Sequence, residues 1–289
     1  MKLLCLHGTF GSAKKFKIQL APFVQKTQED SDLEFEWISG LHEVDPPAEF
    51  EHYFGEKPLY RFMPFNGIRA YDDLFTKWRQ CPDGASTEEN MRLLFGSEEN
   101  FLHQKACLQE TIDAVLKAID DDPEIDGILG YSEGATIAAT AILEERRRWE
   151  EEGIPRRINC AIFFAGCPAI SLKDGSISML SDAEAEDAID IPTCHVVGCN
   201  DPYIDGSITL YDMCNEDKAE LFDHGQGHVI PRDPRTLEEL SVSVSRIVGM
   251  ANANKRKPSV TGSESDASRR SSTWSSGNSS IVELTAICT

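Results

Sequence analysis

The stretch Ile128-Leu129-Gly130-Tyr131-Ser132-Glu133-Gly134-Ala135 constrains this chain more than any other. A short apolar run enters a Gly-x-Ser-x-Gly pattern and leaves into Ala135-Thr136-Ile137-Ala138-Ala139, a small-residue run with helical character. Together they read as a strand, a sharp turn and a helix, with Ser132 at the tip. Such a turn forces its tip residue into a strained backbone and leaves the neighbours little room, which Gly130 and Gly134 answer by lacking a side chain. Small Ala135, Ala138 and Ala139 let the helix lie close to a sheet.

The flanking sequence supplies the rest of that sheet. Lys2 to Leu6 reads as a buried strand ending in His7-Gly8-Thr9-Phe10-Gly11-Ser12, followed by a helix from about Ala13 to Gln28. That helix has Phe16, Ile18, Leu20, Phe23 and Val24 as candidate core positions. Leu33 to Ile38 alternates as a second strand. Phe101 to Ile119 has helical spacing and stops at Asp120-Asp121-Asp122-Pro123. Asn159 to Ala165, Pro192 to Gly198 and Ala219 to Asp223 read as further strands, and Thr236 to Met250 as a closing amphipathic helix. Strands alternating with helices predict a mostly parallel sheet with helices on both faces.

Two regions break this rhythm. Residues 40–100 are irregular, rich in aromatic residues and interrupted by prolines, the signature of a lid or substrate-binding insertion. The aromatics either pack the insertion's own core or line a pocket. From about residue 252 the chain turns Ser-rich with few large apolar residues, which predicts a disordered tail over 252–289 beyond a domain of 1–251. Asp174 to Asp190 reads as a polar loop or short helix.

The net charge of −21 argues against nucleic acid and anionic membrane as partners. From Asn254 onward there are five Lys/Arg against three Asp/Glu, so the acidity belongs to the folded part. The nine cysteines lack metal-ligand spacing. Cys5, Cys160, Cys194 and Cys199 lie in or beside apolar runs and are expected to be buried, reduced thiols. With no signal-like opening and no apolar run of membrane-spanning length, a cytoplasmic protein is expected.

A serine hydroxyl becomes a useful nucleophile only beside a base, and that base needs a carboxylate to fix its tautomer. On a sheet of this kind the expected chain order is Ser, then Asp or Glu after a later strand, then His. Asp201 follows strand 192–198 in Gly198-Cys199-Asn200-Asp201-Pro202, and His228 follows strand 219–223 in Gly227-His228-Val229-Ile230-Pro231. His224 competes with His228 for the base, and Asp205 and Asp212 compete with Asp201. The backbone N–H of Glu133 and one from Thr9 or Phe10 are expected to form the oxyanion hole. The Glu133 side chain is expected to face solvent or a pocket rim. His7 matters through the loop it opens, while His42, His52, His103 and His195 have no partner pattern.

Leu4-Cys5-Leu6-His7-Gly8, Gly130-Tyr131-Ser132-Glu133-Gly134-Ala135, the Gly198 to Pro202 loop and Gly227-His228-Val229-Ile230-Pro231 together resemble the fungal serine hydrolase family over roughly residues 1–250. The resemblance implies a compact α/β-hydrolase with Ser132 as nucleophile, Asp201 as orienting acid and His228 as base. It also implies kinship with thioesterases that release polyketides from their synthases. Thr9-Phe10 after His7-Gly8 departs from a glycine-rich oxyanion loop. The expected chemistry is ester or thioester cleavage through an acyl-serine, with no metal or organic cofactor. The expected substrate is an acyl or polyketide group, carried by the acyl carrier domain of a polyketide synthase. Against an acidic carrier, Arg146 to Arg148 or Arg156-Arg157 would have to supply basic contacts. Alternatives are a general carboxylesterase for small free esters and a non-catalytic binding protein presenting its Ser-rich tail.

Overall fold

Alternate residues of the first strand, β1 (Lys2–Leu6), point to opposite faces, and beyond Lys2 both sets are apolar and buried. Leu4 and Leu6 pack on one side of the sheet, Leu3 and Cys5 on the other. A strand apolar on both faces must be covered twice, and that requirement organises the whole molecule. The computed structural model describes residues 1–46, 51–63, 105–171, 178–179 and 188–255.

The described elements run in order β1, α1 (Ala13–Gln19), α2 (Ala21–Asp30), β2 (Glu34–Ile38), β3 (His42–Glu43), α3 (Glu51–Phe54) and β4 (Tyr60–Arg61). They continue with α4 (Lys105–Asp121), β5 (Ile125–Tyr131), α5 (Glu133–Glu152), β6 (Ala161–Phe164), β7 (Ile170–Ser171) and β8 (Ser178–Met179). β9 (Thr193–Val197), α6 (Ile204–Asp212), β10 (Ala219–Asp223) and α7 (Pro234–Lys255) complete the series. Six strands form one sheet in the order β10-β9-β6-β5-β1-β2, and every neighbouring pair is parallel. The pairs β3–β4 and β7–β8 are small antiparallel additions.

One face is covered by α4, α5 and α6 through Ile112, Val115, Ile137, Ala138 and Leu210. The other is covered by α1, α2 and α7 through Phe16, Phe23, Leu240, Val244 and Ile247. The chain leaves β1 toward one face and β5 toward the other. Their carboxyl ends therefore diverge and open the crevice in which parallel sheets of this type place reacting groups.

Three expectations need correction. The helix expected over 13–28 is two helices broken at Leu20, because Pro22 in the first turn of α2 has no N–H to continue the α1 ladder. Ile18, expected in the core, is 62% exposed because it lies about 200° around α1 from the buried Phe16, on the outward face. Cys199 lies exposed in the loop after β9 rather than buried. The region 40–100 contributes β3, α3 and β4, with Phe62 fully buried and Tyr53 exposed. Residues 47–50 and 64–104, which hold most of its aromatics and His103, lie outside the described residues, as does the tail from 256. Among the described residues no helix is long and apolar enough to cross a membrane.

Candidate active site

The turn between β5 and α5 has the backbone that its glycines permit. Ser132 sits at φ 54° and ψ −119°, a positive-φ conformation that side-chain-bearing residues rarely adopt. A Cβ on Gly134 would overlap the carbonyl oxygens of Leu6 and His7, and one on Gly130 would press on Ala135. The strand and helix can therefore approach only if both positions stay bare. The strain is held by neighbours: Ser132 donates its N–H to Phe164 O (2.9 Å), and Ala135 donates to Ser132 O (2.9 Å).

Ser132 Oγ lies 3.0 Å from His228 Nε2, and His228 Nδ1 lies 2.8 Å from Asp201 Oδ2. With Asp201 ionised, Nδ1 carries the proton and donates to it, which leaves Nε2 as the acceptor facing the serine. The second Asp201 oxygen accepts the Tyr203 N–H at 2.8 Å, so the carboxylate is held from both ends and is itself buried. The His228 ring lies between Tyr203 (5.3 Å, edge-on) and Tyr131 (5.5 Å), and the Tyr131 hydroxyl donates to His228 O at 3.0 Å. These contacts restrict the imidazole to the plane that the serine and aspartate define.

The three groups come from loops after three different strands, and the loops bind one another. Asn200 N–H donates to Gln226 O (3.0 Å), and Asn200 Nδ2 donates to Gly225 O (2.9 Å). Asp223 Oδ1 accepts from both Cys199 N (2.9 Å) and Gly225 N (2.8 Å). These N–H donors hold the Asp223 carboxyl below its usual range.

A chain with this sheet, this strained serine and this hydrogen-bonded Ser-His-Asp set matches the family profile described as Serine hydrolase (FSH1) over residues 1–240. The chain belongs to that family. It is similar to esterase FPY3 of Fusarium mangiferae, at 25% identity over 87% of this chain and 98% of the relative. It is also similar to hydrolase phiM of Talaromyces stipitatus, at 23% over 86% of this chain and 87% of the relative. An esterase of Caenorhabditis elegans aligns at 26% identity over 83% of this chain and 91% of its own length. Among solved structures, acyl-protein thioesterase 2 of Zea mays superposes with a TM-score of 0.50 at 13% identity, over 86% of this chain and 94% of that one. At that identity the likeness concerns the α/β-hydrolase fold. The protein is a serine hydrolase of the esterase type.

Within this FSH1-type hydrolase the other candidates fall elsewhere. His224 is half-buried, accepts Gln226 N–H at 3.3 Å through Nδ1 and shapes the turn ahead of His228. Asp205 lies in the first turn of α6, and Asp212 is exposed at its last residue. His195 is a core residue between Phe163 and Tyr211, and burial lowers its pKa to about 3. His7 is buried too, and burial pulls its pKa down. His7 Nε2 accepts Gly40 N–H at 2.9 Å, so Nδ1 carries the proton and donates to Gly8 O at 2.7 Å.

The expectation for Glu133 is overturned. Its carboxylate is buried and accepts four bonds, from Thr9 Oγ1 (2.7 Å), Arg61 Nε (3.0 Å), Phe62 N (2.8 Å) and Met63 N (2.6 Å). The physical reason is enclosure. The first turn of α5 is roofed by the end of β4, which presents two backbone N–H groups and a guanidinium to it. Nothing in the spacing announced this, because Arg61 is seventy-two residues away in a region without periodicity. Tyr131, by contrast, sits within the motif and was readable as a neighbour of the serine, though not as an anchor for the histidine loop.

Proposed function

We propose that Ser132 is the nucleophile, His228 the general base and Asp201 its orienting carboxylate in the cleavage of acyl esters or thioesters. The observation carrying this reading is the pair of short contacts to His228 around a serine in positive-φ strain. Ser132 Oγ attacks the acyl carbonyl as its proton passes to His228 Nε2, and Asp201 stabilises the resulting imidazolium. The proton then goes to the departing alcohol or thiol, leaving an acyl-serine. Water attacks that ester with His228 again taking the proton, and Ser132 is restored. The Glu133 N–H stands in the first turn of α5, where a helix has no carbonyl of its own to offer it. With Thr9 or Phe10 N–H it forms the oxyanion hole. Phe10 at φ 56° supports this, because a positive φ re-aims the peptide planes of the loop.

For the substrate, we propose an acyl or polyketide thioester delivered by a carrier domain, on the strength of the motif resemblance. The seven described cysteines are free, which supports action in a reducing, cytoplasmic setting. One observation favours the second reading, a carboxylesterase for small free esters. Arg147 pairs with Glu144, Glu151 and Glu152, Arg148 with Asp113 and Glu144, and Arg156 with Asp190. These arginines serve their own surface and offer little net positive charge to an acidic carrier.

The test is fluorophosphonate labelling of wild type, Ser132→Ala and His228→Ala, followed by turnover of carrier-bound thioesters against free esters. Labelling lost in both variants is expected. An unlabelled, folded wild type would overturn the nucleophile assignment, and equal turnover of both donor types would favour the esterase reading.

A further inference from the structure

The Glu133 carboxylate lies outside the proton path, yet it accepts four hydrogen bonds, more than the side chain of Ser132, His228 or Asp201 makes. We propose that Glu133 is a positioning residue for the oxyanion hole. It is proposed to set the loop that carries the second donor against its own backbone N–H. The proposal rests on the oxyanion assignment made above.

Three observations converge on it. Thr9 Oγ1 donates to Glu133 Oε2 at 2.7 Å, tying the loop after β1 to the residue after the nucleophile. The same carboxylate is anchored at its other oxygen by Phe62 N and Met63 N, so it is not free to follow the loop if the loop drifts. The loop is also braced from its far side, where Tyr60 N–H donates to Gly11 O (2.8 Å) and Gly40 N–H donates to His7 Nε2 (2.9 Å). The two donors thus belong to separate elements, α5 and the β1 loop, and one buried side chain bridges them.

Charge balance explains Arg61. A lone carboxylate on the residue whose N–H faces a developing oxyanion would oppose that oxyanion. Arg61 Nε at 3.0 Å, with both side chains about 5% exposed, neutralises it in place. The result is a rigid brace that adds little net field at the reacting carbonyl. Since an oxyanion donor works only at about 2.7–3.1 Å from the charge, a drift of a few tenths of an ångström in the loop is felt in the rate.

Thr9→Val tests this with the least disturbance. It keeps the backbone N–H and the side-chain shape and exchanges the hydroxyl for a methyl group, so the bond to Glu133 is lost. We expect kcat to fall roughly tenfold, a fraction of the 10²–10³ seen when a donor is deleted outright. KM should stay within about twofold, and the pH profile of kcat/KM should keep its shape because His228 and Asp201 are untouched. The Ki of an aryl trifluoromethyl ketone, whose adduct on serine places an oxyanion in the hole, should rise in parallel with the loss of kcat. Thr9→Ser should restore both. Glu133→Gln should act in the same direction and more strongly, with rates normalised by active-site titration. A Thr9→Val enzyme with a lower melting temperature but unchanged kcat and ketone Ki would overturn the proposal and leave a purely structural brace. Fluorophosphonate labelling of wild type separates this from the larger reading. If labelling succeeds and Thr9→Val is neutral, only the role of Glu133 falls.

Discussion

The two ends of the central sheet are built on different terms. At the carboxyl ends of the strands lie Phe10, Ser132 and Ala165, the three described non-glycine residues with positive φ. The buried Asp201 and the Glu133–Arg61 pair lie there too. At the amino ends lie Lys2 with Asp122, Lys255 with Asp126, and Arg157 donating to Asp122 O and Ile125 O, ion pairs and hydrogen bonds at partly exposed positions. Strain and buried charge are destabilising unless many contacts hold them. The non-glycine positive-φ strain lies at one end, whereas the buried Glu145 carboxylate at the other is held by the N–H groups of Arg157 and Ile158. The other end carries contacts that salt screens and substitution tolerates. The difference teaches where this fold spends stability for chemistry.

The comparison can be broken most sharply at Asp201. Asp201→Asn should leave the loop in place but present the wrong hydrogen-bonding face to His228 Nδ1. Turnover should fall by roughly 10⁴-fold with little change in thermal unfolding. A loss below tenfold would mean that Asp201 does not orient the base. Next in size is Gly134→Ala, whose methyl would overlap Leu6 O and His7 O. A destabilisation of about 3 kcal/mol is expected from such overpacking against backbone, read as a lower urea midpoint. A neutral outcome would show that the elbow can relax.

A third test lies between the two ends, in the middle of the sheet. Burial lowers His195 to about 3 from an unfolded value near 6.5, so below pH 6.5 the unfolded chain takes up a proton that the folded chain refuses. Its contribution is complete above that pH and is lost as pH falls toward about 3. The loss amounts to about 2 kcal/mol between pH 8 and pH 5. His7, also lowered by burial, adds with the same sign. Urea unfolding at the two pH values should show a smaller drop for His195→Gln than for wild type; identical drops would contradict the burial argument. The smallest effect is expected at the amino end. Lys255→Met should leave kcat unchanged and move the unfolding midpoint within experimental scatter, and any substantial loss of activity would show that the two ends are coupled.

The parts of the fold legible in the sequence are those encoded by short-range pattern. The strand, glycine turn and alanine-rich helix around Ser132 are written within ten residues, and the strands carrying Asp201 and His228 end at recognisable loop residues. The break at Leu20 was equally local, since Pro22 stands in plain view, yet an apolar spacing that continues across it masks the turn. The inward Glu133 side chain is illegible in the sequence for the opposite reason. Its environment is made by Arg61, Phe62 and Met63, which no periodicity connects to it.

By itself the sequence determined a parallel sheet covered on both faces and the placing of Ser132, Asp201 and His228, in that order, just after three of its strands. Those follow from residue type, local backbone permission and the direction in which strands end. Only the tertiary structure decided which oxygen meets which nitrogen, that Tyr131 and Tyr203 confine the imidazole, and that a carboxylate beside the serine faces inward. Such contacts depend on where distant loops come to rest against one another, and that is set by packing over the whole sheet.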